Sequence, residues 1–157
     1  MTTDNDPAAV AELDRLDEAV RSAPAGDTTA QIDLWRQAAR LDTWFFIARG
    51  PEDRPRPYAV AAAQGPMICL YSSAGRAKEA ALALGLAAEG DAVPLLAVPV
   101  PAAIDYLASF GAAGVVGVTL DHPRIGHHVP LANLSLLKAW VAGDAGVGVG
   151  RAAVPGA

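Results

Sequence analysis

The three histidines of this chain, His122, His127 and His128, fall within seven residues, beside Asp121 and Arg124. It is the densest group of side chains that move protons, hold metals or grip anions. Imidazole titrates near neutral pH and binds divalent metals, and a neighbouring carboxylate can orient the ring or share the metal. Asp121, His122 and either His127 or His128 could therefore form a metal or small-ligand site. The spacing, one histidine followed after four residues by an adjacent pair, matches no standard zinc pattern, since those seat their ligands on a helix or between two fixed elements. Two further readings stay open. The segment could be a partner-binding loop, mildly sensitive to pH, or a surface turn in which Asp121 caps the backbone and Pro123 bends it.

A second group lies where an apolar run meets an alanine-rich one: Ser72 and Ser73, followed by Gly75, Arg76 and Lys78. Backbone amides at a helix start and a nearby cation can hold a phosphate or carboxylate, so Ser72, Ser73 and Arg76 are candidate anion ligands. The nucleotide-cradling G-x-x-x-x-G-K-[ST] and the G-x-S-x-G nucleophile elbow are both missing, and the ordinary reading is a helix cap. Gly111, Gly114 and Gly117 repeat every third residue, but they lead into an apolar run rather than following a strand and opening a helix. Cys69 sits inside the apolar stretch Met67–Tyr71, where a thiol is inert.

Elements to carry these groups can be read from pattern. Asp6 before Pro7 caps a helix from Pro7 to about Ser22 with Val10, Leu13, Leu16 and Val20 on one face, expected to pack loosely. Its other face, with Glu12, Asp14, Arg15, Glu18 and Arg21, reads as solvated, with an Asp17–Arg21 pair one turn apart. Asp27 or Thr28 caps a second helix, with Ile32, Trp35, Ala38 and Ala39 directed to the core. Thr43–Arg49 (TWFFIAR) reads as a strand, and the charged, proline-rich loop after it as solvated. Tyr58–Ala63 and Pro66–Tyr71 form a hairpin turning at Gln64-Gly65. Ser72 or Ser73 caps a helix to about Ala88, weakened by Gly85. A strand over Ala92–Val100, a short helix from Pro101 through Ser109, a strand over Val115–Leu120 and a last helix from Asn133, with Leu134, Leu137, Trp140 and Val141 on one face, complete the order. The expected fold is α+β: a single domain with a mixed sheet of about five strands packed, chiefly on one face, with about five helices. Residues 1–26 form an N-terminal helix with a flexible start, 27–142 the α+β body, and 143–157 a flexible glycine-rich tail.

Composition narrows the function classes. The 157 residues are 52% hydrophobic, but 35 of them are alanine, so the true core is that of one domain. Seventeen acidic against twelve basic residues give a net charge of −5, which argues against a nucleic-acid surface or an anionic membrane as partner. The longest apolar run, Ala92–Ile104, is 13 residues with three prolines, short of the roughly 20 that cross a bilayer. The first twelve residues hold acids and no apolar run, so no secretory leader is expected. A lone cysteine excludes an internal disulfide and a cysteine-based zinc site and fits a reducing cytoplasm.

Three stretches carry a family resemblance: TWFFIAR at Thr43–Arg49, MICLYSSAGRAKEA at Met67–Ala80 and GVVGVTLDHPRIGHHVPLANL at Gly114–Leu134. In order and spacing they resemble the N-terminal domain of SseB-type (enhanced serine sensitivity) proteins, over about two-thirds of the chain from Asp33 to Val141. Asp121-His122-Pro123 stands where the family more often has an Asn-Pro-Gly turn. The resemblance implies a small cytoplasmic bacterial domain without catalytic residues to carry over, and favours a binding or regulatory role. The expectation is a non-enzymatic interaction module with no cofactor and no metal, whose partner is another protein or a second copy of the chain. The alternative is a small-ligand or metal-binding enzyme built on Asp121, His122, Arg124, His127 and His128.

Overall fold

A computed structural model describes residues 4–150, with side chains as far as residue 142. It is an α+β domain of five α-helices and two sheets, of three and four strands. Helices α1 (Pro7–Ser22) and α2 (Thr29–Ala39) lead into β1 (Thr43–Arg49). The chain continues through β2 (Arg56–Pro57), β3 (Ala59–Ala62), β4 (Gly65–Leu70) and α3 (Ala74–Ala83). Then come β5 (Leu95–Pro99), α4 (Val100–Ala108), β6 (Gly117–Leu120), β7 (His128–Pro130) and α5 (Leu134–Gly150). The strand orders are β2-β1-β5 and β3-β4-β6-β7. A reciprocal pair of backbone hydrogen bonds between Phe45 and Tyr71, at 2.9 and 2.7 Å, joins the two sheets. Among the described strands only β4 and β6 pair in parallel, so the four-stranded sheet is mixed and the three-stranded one antiparallel.

Strand alternation sends successive residues to opposite faces. Trp44, Phe46, Ile68, Leu70, Val118 and Leu120 join Leu13, Leu34, Trp35, Ile104, Leu107 and Leu137 in the larger core, under α1, α2, α4 and α5. Phe45, Ile47, Cys69 and Tyr71 face the other way, onto Ala77, Ala80 and Ala81 of α3. Alanines on that helix let its backbone approach the bulky strand residues closely.

Several boundaries differ from the pattern reading for local reasons. Helix α3 stops at Ala83, five residues early, because Gly85 ends it rather than merely weakening it. With φ +75° it lets its own N–H bond the carbonyl of Leu82 while the N–H of Leu86 returns to Ala81, closing the last turn. The hairpin turns at Ala63-Gln64, one residue before the expected place, with Ala62 opposite Gly65. Gly65 holds φ +138°, and a Cβ there would lie 2.9 Å from Val116 Cγ1. Ile32 is 42% exposed, not core, and Leu34 is buried in its stead. Asp27 does cap α2, accepting from the Thr29 N–H at 3.0 Å, while the Thr28 side chain makes no cap. Strands β2 and β7 were not legible, being two and three residues long, beside prolines and in polar surroundings. The tail expected over 143–157 lies outside the described residues, save the backbone of 143–150, which continues α5.

Helix α1 does not pack loosely. It buries Val10, Leu13 and Leu16, and the segment before it is anchored by Asn5, which is 7% exposed. Asn5 Nδ2 donates to the carbonyls of Thr43 and Ser72 at 2.8 and 2.7 Å, and its Oδ1 accepts from the Asp42 and Thr43 N–H groups at 3.1 Å. One amide thus ties the chain start to the beginning of β1 and the end of β4. Truncating it strands four backbone groups, so Asn5→Ala is expected to cost about 2–4 kcal/mol, given ~1–3 kcal/mol per buried unpaired group and partial rescue by water. Urea unfolding of the two proteins measures this, and a loss under about 0.5 kcal/mol, within the scatter of ordinary surface substitutions, would show that the clamp is dispensable.

Candidate functional site

The polar candidates belong to two sequence groups, which the parallel pairing of β4 with β6 brings side by side. Leu70 lies opposite Leu120, so the segments leaving both strands, Ser72-Ser73 and Asp121-His122, emerge at the same end of the sheet. Asp121 sits in the left-handed region at φ 50°, which aspartate tolerates better than most residues, and the His122–Pro123 peptide is cis.

Asp121 is 1% exposed. Its Oδ1 accepts from the Ser72 N–H at 2.7 Å, and its Oδ2 accepts from Ser72 Oγ at 2.6 Å and from an Arg76 guanidinium nitrogen at 2.8 Å. The second terminal nitrogen of Arg76 donates to Asp14 Oδ2 at 2.6 Å. Asp14 in turn takes two bonds from Arg124, at 3.3 and 3.0 Å. Five side chains from α1, the start of α3 and the loop after β6 therefore form one connected network. Ser73 stands apart from it as the cap of α3, accepting from the Arg76 N–H at 3.0 Å.

The histidines separate. His122 is half-buried on the rim of a cleft of about 240 Å³, which Arg76, Glu79, Asp121 and Arg124 also line. His127 turns to α1, with Nε2 2.9 Å from Asp17 Oδ1, an ion pair only when the ring is protonated. His128 is exposed on β7, opposite Thr119. Among the described residues, no three His, Cys, Asp or Glu side chains stand close enough to hold a metal ion. The loop thus does not assemble Asp121 with two histidines.

The anion candidates are engaged from within the molecule. Arg76 faces two carboxylates, and the α3 N-terminus receives Ser73 Oγ at Arg76 and Asp4 Oδ1 at the Ala74 N–H, 3.2 Å away. An incoming anion would have to displace the chain's own acids. Cys69 is buried, and desolvation pushes its thiol up to about 11, against partial relief by hydrogen bonds, so it is neutral and unreactive at physiological pH.

Pattern reading missed Asp14 as a network member and placed it on a solvated face. The structure corrects this: Asp14 lies between two arginines distant in sequence. The Asp17–Arg21 pair is present at 2.9 Å, and Arg21 also reaches the Ile125 carbonyl at 3.3 Å. Asp14, Asp17 and Arg21 recur at i, i+3 and i+7, which places them on one helix face. That stripe was the available signal.

Removing one partner of a buried pair leaves an uncompensated charge, so Arg76→Met is expected to destabilise by about 3–5 kcal/mol. The double variant Arg76→Met with Asp121→Asn should recover part of that loss. Chemical denaturation of the single and double variants tests it, and strictly additive losses would deny the coupling. For Asp14, partial burial pushes the carboxyl up, but the hydrogen bonds and charges of Arg124 and Arg76 outweigh it and hold it below the ordinary value of 3.8. A depressed carboxyl contributes stability above its unfolded pKa and loses it as pH falls through the lower folded value. The stability gap between the native chain and Asp14→Asn should therefore be constant down to about pH 4 and shrink below that. A gap unchanged at about pH 2.5 would contradict this sign. No protein-family model matches the chain, and no curated protein matches it.

Proposed function

We propose that this chain is a non-enzymatic interaction module of the SseB-like type, acting in a bacterial cytoplasm. The observation that carries the reading is the fate of its chemically capable side chains. Asp121, Ser72, Arg76, Asp14 and Arg124 bind one another, so most of the cluster that could have served catalysis is spent on joining α1 and the β6–β7 loop to the sheet. Meanwhile large apolar side chains stand in solvent: Ile32, Leu82 and Leu136 are 41–50% exposed. The three stretches that resemble the SseB-type domain, and the free buried thiol, agree with this placement.

A second reading, a small-ligand enzyme, is favoured by the cleft at His122 and Arg124, whose guanidinium is half exposed. The two are separated by placing a photoreactive residue at Leu136, Leu82 or His122 in turn and irradiating cells that make the protein. One reproducible protein adduct, identified by mass spectrometry, is expected from an apolar position. Absence of adducts at all three, with a co-purifying metabolite whose binding Arg124→Ala abolishes, would overturn the module reading in favour of the enzyme.

A further inference from the structure

We infer that the groove between α2 and α5 receives an amphipathic helix of a partner protein that carries an acidic residue beside its apolar seam. This rests on the interaction-module reading and names the kind of partner it would serve. The groove is walled by Ile32 and Trp35 of α2 and by Leu136, Leu137 and Trp140 of α5, with Val129 of β7 also lining it. Two of the three large hydrophobics that stand exposed among the described residues, Ile32 and Leu136, flank this one groove. The Trp35 indole N–H is buried there without a hydrogen-bond partner.

Size and charge select the occupant. At about 210 Å³ the groove is below the ~300–1,000 Å³ of pockets that enclose a cofactor or drug-sized ligand. It suits side chains, and a groove between two helices accepts the ridge of a third. No lining residue is charged. The cation at its rim is Arg36, whose guanidinium lies 4.8 Å above the Trp140 ring and forms no ion pair among the described residues. In a chain of net charge −5, this apolar groove is thus edged by positive charge, complementary to an acid on the incoming helix.

The test uses the whole chain and a fluorescein-labelled synthetic helix with leucines at i, i+4 and i+7 and glutamate at i+3, against a twin with lysine in place of the glutamate. Anisotropy titration should show the lysine twin binding roughly fivefold more weakly, the scale of one exposed charge interaction gained or reversed. Leu136→Ser should weaken the glutamate peptide by at least roughly tenfold, the scale of one buried leucine. Leu136 is half exposed, so that variant should melt as the native chain does. Arg36→Glu should invert the preference between the peptides. Equal affinity of the two peptides, binding indifferent to Leu136→Ser, or no binding at about 1 mM would each overturn the inference, the last being weaker than transient recognition requires. A dimer in sedimentation that Leu136→Ser dissolves would assign the groove to a second copy, and binding that appears only on deleting residues 151–157 would assign it to the chain's own end. Both also overturn it. Adducts persisting from Leu82 or His122 while these peptides fail would leave the module reading standing without this groove.

Discussion

A carboxylate that water cannot reach must be answered by protein donors, and Asp121 is answered by three: the backbone and hydroxyl of Ser72 and the guanidinium of Arg76. All three come from the junction of β4 with α3. The loop leaving β6 is therefore drawn to the end of the neighbouring parallel strand, and α3 is held where Arg76 can reach both Asp121 and Asp14. Through Asp14 the same arginine pins α1, which otherwise is held by the apolar contacts of Val10, Leu13 and Leu16 and by the Asn5 amide. Buried pairs of this kind are poor sources of net stability but demanding in geometry. Here that demand sets how three distant segments meet.

The two faces of the sheet follow different packing solutions. Four helices cover one face, with tryptophan, leucine and isoleucine filling a wide interior. On the other, α3 presents Ala77, Ala80 and Ala81 to Phe45, Ile47, Cys69 and Tyr71, so the strands supply the bulk and the helix supplies proximity. The alanine content is therefore not uniform filler. Close approach of α3 is also what puts its first turn, and Arg76, within reach of Asp121.

Function is bounded by what these networks leave over. Polar groups that are satisfied internally are poor candidates for exchange with a substrate, because each new contact must replace a bond already made. Among the described residues, apolar side chains stand exposed along the seam between α2 and α5, with Arg36 lying over Trp140 beside them. Recognition by a surface of that kind would rest on shape and burial, with charge adjusting specificity.

Periodicity and caps were enough to place the local elements. Asp6-Pro7 starts α1, Thr43–Arg49 is a strand to the residue, Ser73 caps α3 and Leu134 and Leu137 face the core. Each of these depends on interactions within a few residues, so the α+β class follows from the chain read alone, whereas the division into a three-stranded sheet and a mixed four-stranded one does not. Composition likewise pointed to one domain, and among the described residues no helix is long and apolar enough to cross a membrane. What the sequence could not contain was which distant groups meet. Asp14 and Arg76 are 62 residues apart, Ser72 and Asp121 49, and Asn5 and Ser72 67, so no local pattern distinguishes them from solvated polar residues. The polar cluster at Asp121–His128 was visible as a cluster, but its meaning was not. Only the parallel placement of β4 beside β6 decided that Asp121 turns inward to Ser72 and Arg76, that His127 turns to α1 and that His128 faces solvent, because burial and partner choice are properties of packing rather than of residue type.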